Sequence, residues 1–223
     1  MLASLVIKTV IWLAVMAALL FWPAGTVAWP QAWVYLIELA VTGALVSGWL
    51  YIHDPALLEQ RMASPVQRDQ AVWDRIFMVG IILFFGVWHA LMGLDAVRFG
   101  WSRVPLWAQG VGAAGIVVSQ YVFWLVFRAN RYAAPVVKIQ EGHAIATGGP
   151  YAVVRHPMYA GAIPFLLGTP LLLGSWLGLA LAPVIVAGFG FRAVMEEATL
   201  AAQFPDYADY AARVRYRFVP LIW

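Results

Sequence analysis

Residues 105–127 read PLWAQGVGAAGIVVSQYVFWLVF, a run with no Asp, Glu, Lys or Arg. An α-helix needs about 20 apolar residues to cross a hydrocarbon core about 30 Å thick, and this run is long enough. Working outward, the same measure selects Ser4–Trp22, Gln31–Tyr51 with Glu38 as its single charge, and Ile76–Val97 with His89 and Asp95 toward its far end. Two later apolar segments, Tyr159–Leu173 and Trp176–Phe191, are shorter, are joined by Gly174-Ser175, and are interrupted by Pro164, Pro170 and Pro183. They read as a kinked helical hairpin, shallower or more tilted than the other spans. The expected fold class is all-α: a polytopic membrane helix bundle of four full spans plus a C-terminal helical hairpin and a cytoplasmic amphipathic tail.

Composition agrees. The chain is 63% hydrophobic and 11% charged, with a mean hydropathy of +0.79, whereas a soluble domain carries about 25% charged residues. Twelve Trp, nine Tyr and twelve Phe suit aromatic belts at two membrane interfaces. The absence of Cys excludes disulfides, Cys-ligated zinc and thiol catalysis. The four His (His53, His89, His143 and His156) are scattered, so no metal is expected, and nothing points to nucleic acid. Pro23–Ala28 ends loosely like a signal-peptide cleavage site, but the apolar segments that follow favour a retained first span.

Charge placement orients the bundle. With the N-terminus inside, the internal segments hold Arg61, Arg68, Arg75, Arg128, Arg131, Lys138, Arg155, Arg213, Arg215 and Arg217, and the external loops hold only Arg98 and Arg103. That asymmetry satisfies the positive-inside rule and places both termini in the cytoplasm. Two regions follow: residues 1–129 as spans 1–4, and residues 130–223, which hold the polar segments, the hairpin and a C-terminal cap.

Two polar segments stand out. In the first, Gly148-Gly149-Pro150 makes a turn, and Pro157 then opens a helix, leaving Arg155 and His156 at its N-terminus. That position attracts a carboxylate or phosphate; equally, Arg and His there can snorkel toward headgroups. In the second, Arg192 and Glu196, followed by Glu197, share a helix face at the inner end of the last apolar segment. They suit either a simple ion pair or a ligand site, since acids beneath an apolar hairpin need partners. The tail places Tyr207, Tyr210 and Val214 on one stripe, an amphipathic helix read first as an interfacial anchor and second as a cover for a ligand.

Taken in order, Thr147-x-Gly149-x-Tyr151, Arg155-His156-Pro157-x-Tyr159-x-Gly161, the Pro-bearing hairpin, Glu196-Glu197-x-x-Leu200, Phe204, Tyr207 and Tyr210, then Arg217 and Pro220 resemble the isoprenylcysteine carboxyl methyltransferase family and its phospholipid methyltransferase relatives. The resemblance implies a polytopic enzyme that binds S-adenosyl-L-methionine at its cytoplasmic face. It implies cofactor contacts at Lys138, His143, Ala144, Ile145, Ala146, Tyr151, Arg155, His156, Pro157, Met158, Tyr159, Glu196 and Glu197. It further implies catalytic roles for Arg192 and Glu196, with Arg192 holding the substrate, a lipophilic or prenylated small molecule met among membrane lipids. Methyl transfer from a sulfonium needs alignment and desolvation rather than a strong base, consistent with the lack of a nucleophile–base dyad. The alternatives are an amine headgroup or small thiol as acceptor, and an NADPH-dependent membrane reductase with a similar C-terminal module.

Overall fold

The computed structural model describes residues 1–67, 70–133 and 145–223, and among them every regular element is helical. The helices are α1 (Leu2–Ala24), α2 (Pro30–His53), α3 (Pro55–Arg61), α4 (Val72–Gly93), α5 (Leu106–Ala129), α6 (Pro157–Leu173), α7 (Trp176–Gln203) and α8 (Tyr207–Arg213). A π-turn at Leu94–Arg98 extends α4, and a 3₁₀ turn at Gly149–Ala152 precedes α6. Helices α1, α2, α4 with its π-turn, α5 and α7 are long and apolar enough to cross a membrane, and the chain is an integral membrane protein.

The four full spans expected from sequence are present as α1, α2, α4 and α5. The hairpin differs in its second arm. It does not stop near Phe191; α7 runs on to Gln203, 28 residues in all, or about 42 Å. Because a hydrocarbon core takes about 20 of them, the last turns of α7 carry Glu196 and Glu197 clear of the apolar layer. Helix α6, by contrast, spans only 17 residues and contains Pro164 and Pro170.

Contacts assign the helix ends to two faces. At one face Lys8 Nζ donates to the Met62 carbonyl at 2.8 Å and Arg61 Nη1 to that of Ala133 at 2.8 Å. At the other, Gln31 Nε2 donates to Gln109 Oε1 at 3.1 Å, and Asp95 gathers the hairpin tip. Its Oδ2 accepts from Ser102 Oγ at 2.6 Å, from Ser175 Oγ and from Leu177 N. Ser175 also caps α7, accepting from Gly178 N. The turn before it requires Gly174, whose φ of 86° is the left-handed conformation other residues resist.

The core is made by α1, α2, α4, α5, α6 and α7, with Leu20, Tyr35, Trp88, Ile116, Leu166 and Ile185 buried. The closest packing joins α5 to α6: a Cβ on Gly112 would lie 2.5 Å from the Gly168 carbonyl oxygen, and one on Gly168 equally close to that of Gly112. Backbone contact of this kind is how membrane helices associate without a hydrophobic driving force. The outward faces are apolar, as at Ile7, Ile37, Leu83 and Val184, and suit lipid. Tyr35 and His89 share a 2.9 Å hydrogen bond inside the bundle, whereas both carboxylate oxygens of Glu38 are buried without a partner.

Candidate functional site

The polar residues singled out from sequence converge where the start of α6, the inner end of α7 and the C-terminal tail meet. His156 is the N-cap residue of α6, and no side chain caps that helix. The segment before it is held by the tail in ladder fashion: Arg155 N donates to the Tyr216 carbonyl and His156 N to that of Arg217, each at 2.9 Å.

Glu197 is the hub of this junction. Its Oε1 accepts from Arg155 Nε at 2.7 Å and from His156 Nε2 at 3.1 Å; its Oε2 accepts from Arg217 Nε at 3.0 Å and pairs with Nη2 at 2.9 Å. A carboxylate only accepts, so the His156 proton sits on Nε2. Arg155 also donates through Nη1 to the carbonyls of Val214 and Arg215. Glu197, Arg155 and Arg217 thus fasten the tail to the bundle.

Glu196 has a different environment. Its Oε2 accepts from the Tyr159 hydroxyl at 3.0 Å and lies 3.8 Å from His156 Nδ1, and its side chain keeps 29% exposure. The Tyr159 ring stacks on His156 and Phe189, with centroids 5.4 and 5.2 Å away, and meets Phe218 edge-on. Glu196 is therefore a partly open carboxylate beside an aromatic wall.

The four-residue spacing suggested an Arg192–Glu196 ion pair; the ion pair seen for Arg192 reaches across to α4. Arg192 Nε donates to Asp74 Oδ1 at 2.8 Å, and Nη2 approaches Oδ2 at 3.4 Å. Asp74, in the first turn of α4, is fully buried and also accepts from Gln70. Sequence reading missed both residues. The signal was there in one respect: an acid at the very threshold of an apolar run needs a partner.

The tail stripe also differs from its first reading. Tyr207, Tyr210 and Val214 turn inward and pack with Ile145, Leu200 and Phe204, so the stripe covers the junction instead of facing lipid. The Tyr210 hydroxyl donates to the Tyr151 carbonyl at 2.9 Å, and Asn130 Nδ2 donates to the Tyr151 hydroxyl at 2.9 Å. Burial raises the Tyr151 phenol and pushes that of Tyr210 up to about 12, so both stay protonated. The Tyr207 hydroxyl is buried without a partner and lies within electrostatic reach of Glu197 and Glu196.

Among the remaining expected contacts, Pro157 is buried at the start of α6, and Met158 packs toward Leu50, Leu57 and Val126 on the opposite side. Ala146 is half-buried beside Ile145. Lys138, His143 and Ala144 lie outside the described residues. No group of three or more His, Asp or Glu able to hold a metal occurs among the described residues.

An apolar groove of about 490 Å³ adjoins this junction, lined by residues such as Val186, Gly190, Phe191, Phe218 and Trp223. Phe218 belongs both to the groove and to the wall around His156 and Tyr159.

Residues 107–207 match the family model described as phospholipid methyltransferase. Among curated proteins, the chain is 38% identical over 79 residues to a protein-S-isoprenylcysteine O-methyltransferase of Schizosaccharomyces pombe, covering 34% of each chain. It is 30% identical over 125 residues to protein-S-isoprenylcysteine O-methyltransferase B of Arabidopsis thaliana, covering 54% of this chain and 64% of that one. It is 28% identical over 134 residues to the cobalt-zinc-cadmium resistance protein CzcN of Cupriavidus metallidurans, covering 57% and 60%. The aligned regions thus span between about a third and just under two thirds of the relatives' lengths.

Proposed function

We propose that this integral membrane protein is a methyltransferase of the isoprenylcysteine O-methyltransferase type, using S-adenosyl-L-methionine on a lipophilic acceptor delivered from the bilayer. The carrying observation is Glu196. Three arginines face three carboxylates here: Arg192 pairs with Asp74, and Arg155 and Arg217 pair with Glu197. Glu196 is left with the Tyr159 hydroxyl and the nearby His156, and with open space beside it.

The donor set fits the cofactor. A partly exposed carboxylate accepts from ribose hydroxyls or an ammonium group, and the uncapped N-terminus of α6 suits a carboxylate. The orphaned, buried Tyr207 hydroxyl, within electrostatic reach of Glu196 and Glu197, supplies one further polar contact. When bound, the cofactor would supply an electrophilic methyl group on sulfur for an acceptor oxygen, with the sulfur as leaving group.

The chain's own work is then positional. Glu196, held by Tyr159, fixes the polar part of the cofactor; His156 and Phe218 close the wall; Arg192 offers donors to an anionic acceptor oxygen. The tail excludes water by packing Tyr207, Tyr210 and Val214 over the junction, which strengthens electrostatics inside. The apolar groove at Phe218 and Trp223 provides a route for a hydrocarbon chain. In this reading both termini and the site face the cytoplasm, following the basic-residue asymmetry.

The test is transfer of radiolabelled methyl from S-adenosylmethionine by the purified protein in detergent, with N-acetyl-S-farnesylcysteine and phosphatidylethanolamine as acceptors. Labelling of the farnesylcysteine as a base-labile ester supports the reading. Exclusive labelling of the amine lipid, which the phospholipid methyltransferase match over residues 107–207 makes the second reading, overturns the carboxylate assignment. Labelling of neither overturns both acceptors.

A further inference from the structure

The site residues named from sequence fall in the second half of the chain, yet one wall of the site comes from α4. Asp74 lies outside the matched residues 107–207 and 118 positions before its partner, Arg192. It has no exposed surface. Its two oxygens face one edge of the Arg192 guanidinium, through Nε at 2.8 Å and Nη2 at 3.4 Å. Gln70 Nε2 donates to Oδ2, and Gln70 is itself tied back, its Oε1 accepting from Gln67 N at 3.1 Å. Phe77, one turn further along α4, lies against the guanidinium with its ring centroid 5.5 Å from Cζ.

A fork gripped along one edge and flanked on its face has its direction fixed, because the guanidinium is planar and its donors are rigidly arranged. The next groups along are those of the proposed cofactor site. Tyr159 lies within electrostatic reach of Arg192, Glu196 and Asp74 together, and its hydroxyl is bonded to Glu196. Two contacts, Asp74–Arg192 between α4 and α7 and Tyr159–Glu196 between α6 and α7, thus lie within electrostatic reach of one another.

We propose that Asp74 is a positioning residue for methyl transfer, holding Arg192 so that its donors are aimed at the acceptor oxygen. The proposal rests on the methyltransferase reading above. It also carries a consequence for the acceptor. Asp74 offsets the charge of Arg192, so an anionic acceptor is guided more by the direction of the donors than by the positive charge. Removing the Asp74 charge misaligns the guanidinium while leaving it more strongly positive. Alignment then worsens as attraction for the anion improves, and the two effects separate in the kinetics.

The experiment compares wild type, Asp74→Asn, Arg192→Lys and the double variant, using N-acetyl-S-farnesylcysteine as acceptor and calorimetric titration of S-adenosylhomocysteine. For Asp74→Asn we expect kcat to fall about tenfold or more, with the acceptor KM not raised and the S-adenosylhomocysteine Kd within about twofold of wild type. In the Arg192→Lys background, where no fork remains to hold, Asp74→Asn should add less than about twofold. Gln70→Leu, which loosens Asp74 without removing its charge, should show the same pattern more weakly and stands in if Asp74→Asn does not fold.

A kcat within about twofold of wild type overturns the proposal. So does an equal penalty in the Arg192→Lys background, or a parallel loss of S-adenosylhomocysteine binding, either of which marks a brace for the fold alone. A wild-type protein that binds no S-adenosylhomocysteine and methylates neither acceptor overturns the methyltransferase reading itself, and the Asp74 proposal with it.

Discussion

The Tyr159 hydroxyl donates to Glu196 Oε2 across 3.0 Å, joining the first turn of α6 to the inner end of α7. The neighbouring acid, Glu197, is enclosed by Arg155, His156 and Arg217. Two adjacent glutamates on one helix therefore have separate tasks: one fastens the tail, the other faces a ligand.

Tyr159→Phe keeps the ring stacked on Phe189 and His156 and removes only the donor to Glu196. A hydrogen bond to a charged group contributes about 1.5–3 kcal/mol. S-adenosylhomocysteine affinity should fall about tenfold or more in calorimetry, with a modest drop in the thermal unfolding midpoint in detergent.

Glu197→Gln should act through stability. Its carboxylate is largely buried, with 12% side-chain exposure, and holds two arginines. Breaking such a pair leaves charges poorly compensated, at a cost of about 3 kcal/mol. The expected outcome is a lowered unfolding midpoint and faster protease removal of residues 215–223, because Arg155 and Arg217 lose the group that ties the tail down.

Gly168→Ala should destabilise the bundle, since its new Cβ would meet the Gly112 carbonyl oxygen at 2.5 Å. Forcing α5 and α6 apart costs about 1–3 kcal/mol. Gly80→Ala is the matched control, because a Cβ there meets nothing within 4 Å; it should be neutral or slightly stabilising, as Ala is the better helix former. Detergent melting curves of the two variants should separate clearly.

The chain contains no Cys, so single substitutions report orientation directly. Ala202→Cys, near the end of α7, and Ala28→Cys, between α1 and α2, are both at exposed positions. In intact cells a membrane-impermeant maleimide should label Ala28→Cys and not Ala202→Cys; the reverse pattern would overturn the cytoplasmic placement of the site.

The spans were legible because hydropathy over about 20 residues is a local property. The full length of α7 was not, because Arg192 looked like the end of an apolar segment. Its charge is compensated by Asp74, which the chain supplies 118 residues earlier, so the helix continues past it. Nothing in the residues around Asp74 names a partner across the bundle. The motif around Arg155, His156 and Tyr159 was readable as a helix start from Pro157 alone. How Glu196 and Glu197 divide their tasks was not, since the arginines that reach Glu197 come from distant positions, Arg155 and Arg217. The tail stripe was visible in its spacing, but an apolar stripe packs equally well on lipid or on protein, and only the fold brings Ile145 and Leu200 beneath it.

The most direct test is calorimetric titration of S-adenosylhomocysteine into the purified wild-type protein and Glu196→Gln, with NADPH as the comparison ligand. The account predicts micromolar, saturable binding to wild type, a loss of about tenfold or more in Glu196→Gln, and no binding of NADPH. Saturable NADPH binding with no response to S-adenosylhomocysteine, or S-adenosylhomocysteine binding that ignores Glu196, would contradict it.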